Sequence, residues 1–353
     1  MTRFRPVHAV GLAALVALPF AVRAALPDGE RYYLHILIQM LLWAQIYTGW
    51  ALMGRFGLTS LGHGAFTGIG AYATVMLWNY AGLTPLLGIP LAVAGAVALA
   101  LLIGYPSFLQ RIRGHYFALL TLAMVEFVRL CIVGLRDYTG GSLGTQPTRY
   151  GDGVSFYAVQ FEADRMLAYF VALAVWLVGI LVWVWVDRSM DRYALDALGQ
   201  DEEAAAAVGI DVTREKLKIT ALSAAMCAFG GAIFAQYQMY IGPETIAGFG
   251  VSLNIVFGVV AGGIGVMLGP SVGAVLTQLL SEGLRMFFQG SATLNALFGS
   301  RVLSFDTLLY GVLLVLFIIH MPKGIVGTAV EHWGRRKHGP PRETALQKMK
   351  RTG

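Results

Sequence analysis

Four groups of residues in this sequence have types and spacings that could do chemistry. Two are Glu-x-x-Arg pairs inside apolar runs, Glu126 with Arg129 and Glu282 with Arg285. Ionisable groups in an apolar medium are costly unless paired or wet. A spacing of three residues puts both partners on one helix face. Each pair is therefore read as self-neutralised and structural. The competing role is a polar lining for the amine and carboxylate of an amino acid. The two pairs sit four predicted helices apart in matching halves, a weak sign of an internal repeat.

The third group is Ser60, His63 and Thr67, in a glycine-rich stretch. A serine and a histidine within reach can act as nucleophile and base. Nothing nearby suggests an oxyanion hole, so catalysis is not the favoured reading. His63 is read as a hydrogen-bonded packing residue. The alternative is that the three line a pathway whose wall is thinned by Gly64, Gly68 and Gly70. Asn254 and Gln278 are read the same way, as polar contacts between helices rather than ligands.

The fourth group is the segment 187–216, DRSMDRYALDALGQDEEAAAAVGIDVTREK. Its Ala and Leu content favours helix over linker. Gly199 is expected to split it into two short helices, and Gly209 to end the second. Asp201, Glu202 and Glu203 suit a helix N-terminus. The methyl surface of Ala204 and Ala205 suits docking against another protein. A bland surface connector is the alternative.

Other chemistries lack their signatures. The sequence has no GxxxxGK[ST], no HExxH and no Cys/His metal spacing. Cys131 and Cys227 fall in apolar runs and read as two buried helix thiols. Gly262, Gly263, Gly265 and Gly269-Pro270 read as a tight turn, not a nucleotide site.

The elements that must position these residues follow from composition. Of 353 residues, 57% are hydrophobic and only 13% charged. A soluble domain carries about 25% charged residues. The charge deficit and a mean hydropathy of +0.65 point to an all-α chain that crosses a bilayer many times. A span needs about 20 apolar residues. That ruler predicts ten helices: 7–26, 33–54, 57–80, 86–106, 115–133, 167–186, 217–238, 248–268, 271–289 and 304–321. The third and ninth are rich in Gly, Ser and Thr and are candidates for broken or re-entrant segments.

Basic residues in short loops set orientation. With both termini cytoplasmic, 18 of the 26 Lys and Arg fall on the cytoplasmic side. The eight exceptions are Arg23, Arg31, Arg129, Arg136, Arg149, Arg165, Arg285 and Arg301. A net charge of +6 is thus assigned to topology rather than to nucleic acid. Residues 1–30 form a first helix that also fits a cleavable signal sequence. Residues 31–327 form the main domain, with 134–166 as an external loop and 187–216 as an internal one. Residues 328–353 form a basic cytoplasmic tail.

Written out, Glu203-Ala204-Ala205, three residues, Gly209, nine residues, Ile219 resembles the EAA loop of ABC-importer permeases. The usual Leu-Pro is replaced by Ala221-Leu222. Three further stretches resemble the high-affinity branched-chain amino-acid permeases of the LivM type: GLTSLGHGAFTGIGA at 57–71, RGHYFALLTLAMVEFVRL at 113–130 with Thr139-Gly140-Gly141, and LYGVLLVLFIIHMPKGIVG at 309–327. The likeness runs from about 33 to 327. It implies a multi-pass permease subunit in a bacterial inner membrane, and not an enzyme. Its partners would be a second homologous permease, two cytoplasmic ATPases and a periplasmic solute-binding protein. ATP and Mg would sit on the ATPases, leaving no cofactor on this chain. The segment 187–216 would be the coupling element, with Asp201, Glu202, Glu203, Ala204, Ala205 and Gly209 at its core. The solute would be a branched-chain or related amino acid; urea, short amides or aromatic compounds are carried by similar systems. An ATP-independent channel or secondary carrier is the reading from a different class.

Overall fold

A computed structural model describes residues 6–290 except 152, and parts of 309–328. Its regular structure among those residues is helical, with only two isolated β-bridges. The long helices are α1 Pro6–Ala25, α2 Glu30–Gly54, α3 His63–Ala81, α4 Pro85–Leu109 and α5 Gly114–Gly134. A short α6, Arg136–Thr139, starts the external loop, and α7 Arg165–Arg188 follows it. The segment between α7 and the next long helix folds as α8 Asp191–Gln200 and α9 Glu202–Ala207. Then come α10 Val212–Gln238, α11 Pro243–Ile246, α12 Phe249–Gly262 and α13 Gly269–Gly290.

Six helical stretches among the described residues are long and apolar enough to cross a membrane. Each of the first nine predicted segments contains a helix, with three larger differences; the seventh starts at Val212 rather than 217. The third starts at His63 rather than 57. The eighth ends at Gly262 rather than 268, because the glycine-rich turn begins there. At 14 residues α12 is about 21 Å long, but together with α11 it makes Pro243–Gly262, one of those six stretches; α3 and α13, the helices of the third and ninth segments, are not among them. The tenth predicted helix and the basic tail lie largely outside the described residues.

Side-chain chemistry at the ends explains several boundaries. The Asp164 carboxylate accepts from the Met166 and Leu167 amides at 2.9 and 3.2 Å and caps α7. Asp211 caps α10 through the Arg214 amide at 3.0 Å. Pro85 occupies the first turn of α4, where its missing N–H costs nothing.

The centre of the bundle is the antiparallel pair α2 and α10. Gln39 donates to Gln238 at 2.8 Å, Cys227 Sγ to the Ile46 carbonyl at 3.3 Å, and Ser223 to the Gly49 carbonyl at 2.7 Å. Most side chains of α2 from Ile38 onward are buried. On the other side α10 meets α3 backbone to backbone. A Cβ on Gly70 would lie 2.0 Å from the Ala228 carbonyl oxygen, and one on Gly231 would lie 2.3 Å from the Thr67 carbonyl oxygen. Only glycine permits that approach. Cys227 is buried as expected, but Cys131 is exposed. It lies on the outer face of α5 beside Phe127 and Leu130, both exposed. An apolar run tells depth in a bilayer, not which way a residue faces.

Candidate functional site

The segment between α7 and α10 forms one compact end of the bundle. The split between its two helices falls at Asp201, not at Gly199. Gly199 stays inside α8, where a Cβ would come 3.1 Å from the Phe56 carbonyl. Asp201 has extended backbone, and its side chain accepts from the Glu203 and Ala204 amides at 2.8 and 3.1 Å. Aspartate is among the best residues for this capping role. Gly209 follows α9 with φ of 92°, the left-handed turn expected of it.

The two backbone amides hold the Asp201 carboxyl below its ordinary value. A depressed folded-state value means the cap is intact above the ordinary carboxylate range. It is lost only as pH falls through the lowered value. Asp201→Ala should therefore fray α9 at neutral pH. Hydrogen exchange at the Glu203 and Ala204 amides should accelerate, while amides in α8 keep their rates.

The rear of the segment is clamped to three other parts of the chain, α10, the start of α5 and the end of α2. Glu202 is ion-paired with Lys216 of α10 and, at 3.0 Å, with Arg113 before α5. The Lys216 side chain is only 4% exposed, so Glu202 neutralises a buried ammonium. Asp187 pairs with Arg55 at 2.7 Å, just after α2. The Arg55 guanidinium also lies 4.0 Å over the Trp183 ring. Lys218 bridges Asp191 and Glu215 at 3.1 and 2.7 Å. Leu195, Leu198 and Ala205 are buried beneath.

The front of the segment is open. Met190, Tyr193 and Val208 are 80%, 68% and 79% exposed. Ala204, Ala206 and Ala207 of α9 are exposed as well. Exposed apolar side chains on both short helices suit a surface for a partner. Ala204 and Ala205 thus separate: the first belongs to the open face and the second to the core.

The remaining candidates lie away from this end. His63 is fully buried, and its Nε2 is 2.7 Å from Ser223 Oγ. Ser60 does not face it; its Oγ accepts from the Gly62 amide at 3.1 Å. The two are therefore not paired as nucleophile and base. Thr67 donates to the Ile246 carbonyl at 2.7 Å. Sequence reasoning missed Ser252, which accepts from the Gly64 amide at 2.9 Å. These contacts tie α3 to α10, α11 and α12.

Glu126 and Arg129 are ion-paired on α5, and Arg129 reaches Glu244 of α11 at 2.7 Å. The first Glu-x-x-Arg pair is thus a bridge between helices. The second differs from expectation. Glu282 and Arg285 form no ion pair with each other among the described residues; both lie near Tyr32 of α2. Arg285 is exposed, so no surrounding packing fixes the geometry of the pair. Asn254 on α12 and Gln278 on α13 are half-buried. Sequence reasoning also passed over Gln45 and Gln236, both fully buried. Their only signal was polarity within an apolar helix.

A family described as branched-chain amino acid transport system, permease component, matches residues 32–318. The chain is 31% identical over 294 residues to the high-affinity branched-chain amino acid transport system permease protein LivM of Salmonella typhimurium. It is 30% identical over 294 residues to the protein of the same name from Escherichia coli. Each alignment covers 78% of this chain and 65% of the relative, so the chain spans about two thirds of the length of these relatives. A fructose import permease protein, FrcC, of Rhizobium meliloti is 31% identical over 140 residues, 38% of each chain. No solved structure is significantly similar.

Proposed function

We propose, from the premise that this chain belongs to the branched-chain amino acid transport permease family, that it is the membrane-embedded subunit of an ATP-driven importer. It spans a bacterial inner membrane about ten times with both termini inside. Residues 31–327 form the transport domain, and the tail 328–353 is cytoplasmic. It pairs with a second, homologous permease to make the pathway. A periplasmic binding protein delivers the solute, and two cytoplasmic ATPases carry the ATP and Mg. The solute is a branched-chain or related amino acid, the class named for the LivM relatives.

The observation that carries this reading is the two-faced segment 187–216. Its outer face is apolar, exposed and rich in methyl groups. Its inner face is held by ion pairs to α2, to α10 and to the start of α5, with the Arg55 and Lys216 side chains buried. A partner that pushes the outer face would move those helices together. A linker or a passive surface connector would need no such clamp. An ATP-independent channel or carrier would need neither face. Ser60, His63 and Thr67 act here as packing contacts, since each is buried and hydrogen-bonded to a neighbouring residue, His63 through Nε2. Glu126 and Arg129 act as a brace between α5 and α11.

Ala204→Arg tests the reading, because that side chain is exposed and its change leaves the fold intact. We expect the variant to reach the membrane normally and keep its melting temperature. It should fail to co-purify with the ATPase subunits and should lose ATP-driven uptake. Normal capture and uptake by this variant would overturn the assignment. Ala205→Leu should behave differently and lower the melting temperature, since Ala205 is buried.

A further inference from the structure

At the end of the bundle opposite the clamp lies a cavity of about 370 Å³. Its walls come from four places: the start of α2, the external loop, the start of α7 and the end of α10. The charged groups that line it are Arg31, Arg149, Arg165 and Glu162. Arg149 pairs with Glu162 at 3.0 Å, which leaves two guanidiniums in excess among the described lining residues. Arg165 uses one N–H on the Tyr237 hydroxyl at 2.7 Å and keeps its others. Arg31 makes no ion pair or side-chain hydrogen bond among the described residues.

The walls are built rather than loose. Gln160 spends both ends of its amide within the loop, accepting from the Tyr150 amide at 3.0 Å and donating to the Thr148 carbonyl at 2.9 Å. Trp78 donates to the same Thr148 carbonyl at 2.7 Å and packs against Tyr150 and Tyr157. On the α10 side, Tyr237 OH is also 2.6 Å from His35 Nδ1. The Arg165 head is thus held from behind by a fixed hydroxyl.

We propose that this cavity is a binding site for a small organic carboxylate of amino-acid size. Guanidinium groups match carboxylates through paired, charge-assisted hydrogen bonds. The volume falls at the low end of small-ligand pockets, which run from about 300 to 1,000 Å³. Arg31 and Arg165 take the carboxylate. Glu162 holds Arg149 through one oxygen and turns the other to an ammonium, so a zwitterion fits better than a simple anion. The site itself stands on the cavity; that its ligand is the carried solute rests on the importer reading.

The test uses the full chain in phosphatidylcholine nanodiscs with radiolabelled L-leucine as probe. Saturable binding is expected, displaced by isovalerate and not by leucinamide. Arg31→Gln should weaken leucine binding by about tenfold, the loss of a charge-assisted contact. Gly153→Leu should abolish it at an unchanged melting temperature, since a Cβ there meets nothing within 4 Å and the side chain can enter the cavity. Absence of saturable binding would overturn the proposal, as would leucinamide competing like leucine. So would leucine affinity left intact in both variants. Full displacement by phosphatidylglycerol in the nanodisc would also overturn it, in favour of a lipid headgroup. No ATPase is present in this assay, so its outcome is independent of whether Ala204→Arg disturbs ATPase capture.

Discussion

Glu202→Ala should be the most damaging single change in the segment 187–216. It strands the Lys216 ammonium, whose side chain is 4% exposed, and leaves Arg113 with only its more distant partner, Glu203 at 3.9 Å. Breaking a buried pair from one side costs about 3–5 kcal/mol. Lys216→Ala should cost less. It removes the buried charge, and Glu202 keeps Arg113 at 3.0 Å. The order of the two variants is thus fixed by which charge is left alone. Melting curves of the detergent-solubilised protein would check it. The double variant Glu202→Leu with Lys216→Met should recover most of the loss, because neither charge remains to be desolvated. Equal melting temperatures for Glu202→Ala and the parent would refute the clamp. Uptake in the rescued double variant separates holding from signalling: a stable protein without transport would mean that the ion pair also transmits the push.

Gly70→Val should have an effect of similar size through a different cause. The added Cβ would meet the oxygen, carbon and Cα of Ala228 at 2.0, 2.6 and 2.7 Å. All three are backbone atoms, so no rotamer change relieves the clash. Overpacking typically costs about 1–3 kcal/mol; separating α3 from α10 belongs at or above the top of that range. Almost no monodisperse protein should elute on size-exclusion chromatography. Gly11→Ala is the control. A Cβ there meets nothing within 4 Å, and alanine in a helix interior gains about 0.5–1 kcal/mol over glycine. A normal elution profile for Gly70→Val would show that the two helices are not in backbone contact.

Much of the coarse plan was legible because it rests on local signals. Apolar runs marked nine of the helical segments, Gly209 marked the end of α9, and the glycines from 262 to 269 marked the turn before α13. The EAA-like pattern singled out the segment that the structure shows as a two-faced unit. The errors came where tertiary contact outweighs local preference. Gly199 looked like a helix breaker, yet its penalty is about 1 kcal/mol. The close approach to the Phe56 carbonyl and the cap at Asp201 decide the matter instead. Glu282 and Arg285 had the spacing of a pair but not the burial that would enforce one.

The cavity arginines were legible only as exceptions. Arg31, Arg149 and Arg165 all belonged to the eight basic residues that broke the charge rule for topology. They are far apart in sequence, and nothing local says that α2, α7 and the external loop bring them to one place. A residue that violates a statistical pattern at some cost is a good place to look for a ligand.

The central helices have a mechanical consequence. α2 runs from beside Arg31 to beside Arg55, and α10 from beside Lys216 to Tyr237. Neither contains proline, whereas α1 and α4 do. Each is therefore an unbroken helix with the clamp at one end and the arginine cavity at the other. At 25 residues α2 is about 37 Å long, so a tilt of about 5° pivoted at one end swings the other by about 3 Å. That is roughly the length of one hydrogen bond. A nudge on the methyl face is thus large enough, with no change in side-chain packing along the shaft, to make or break a grip on a carboxylate at the far end.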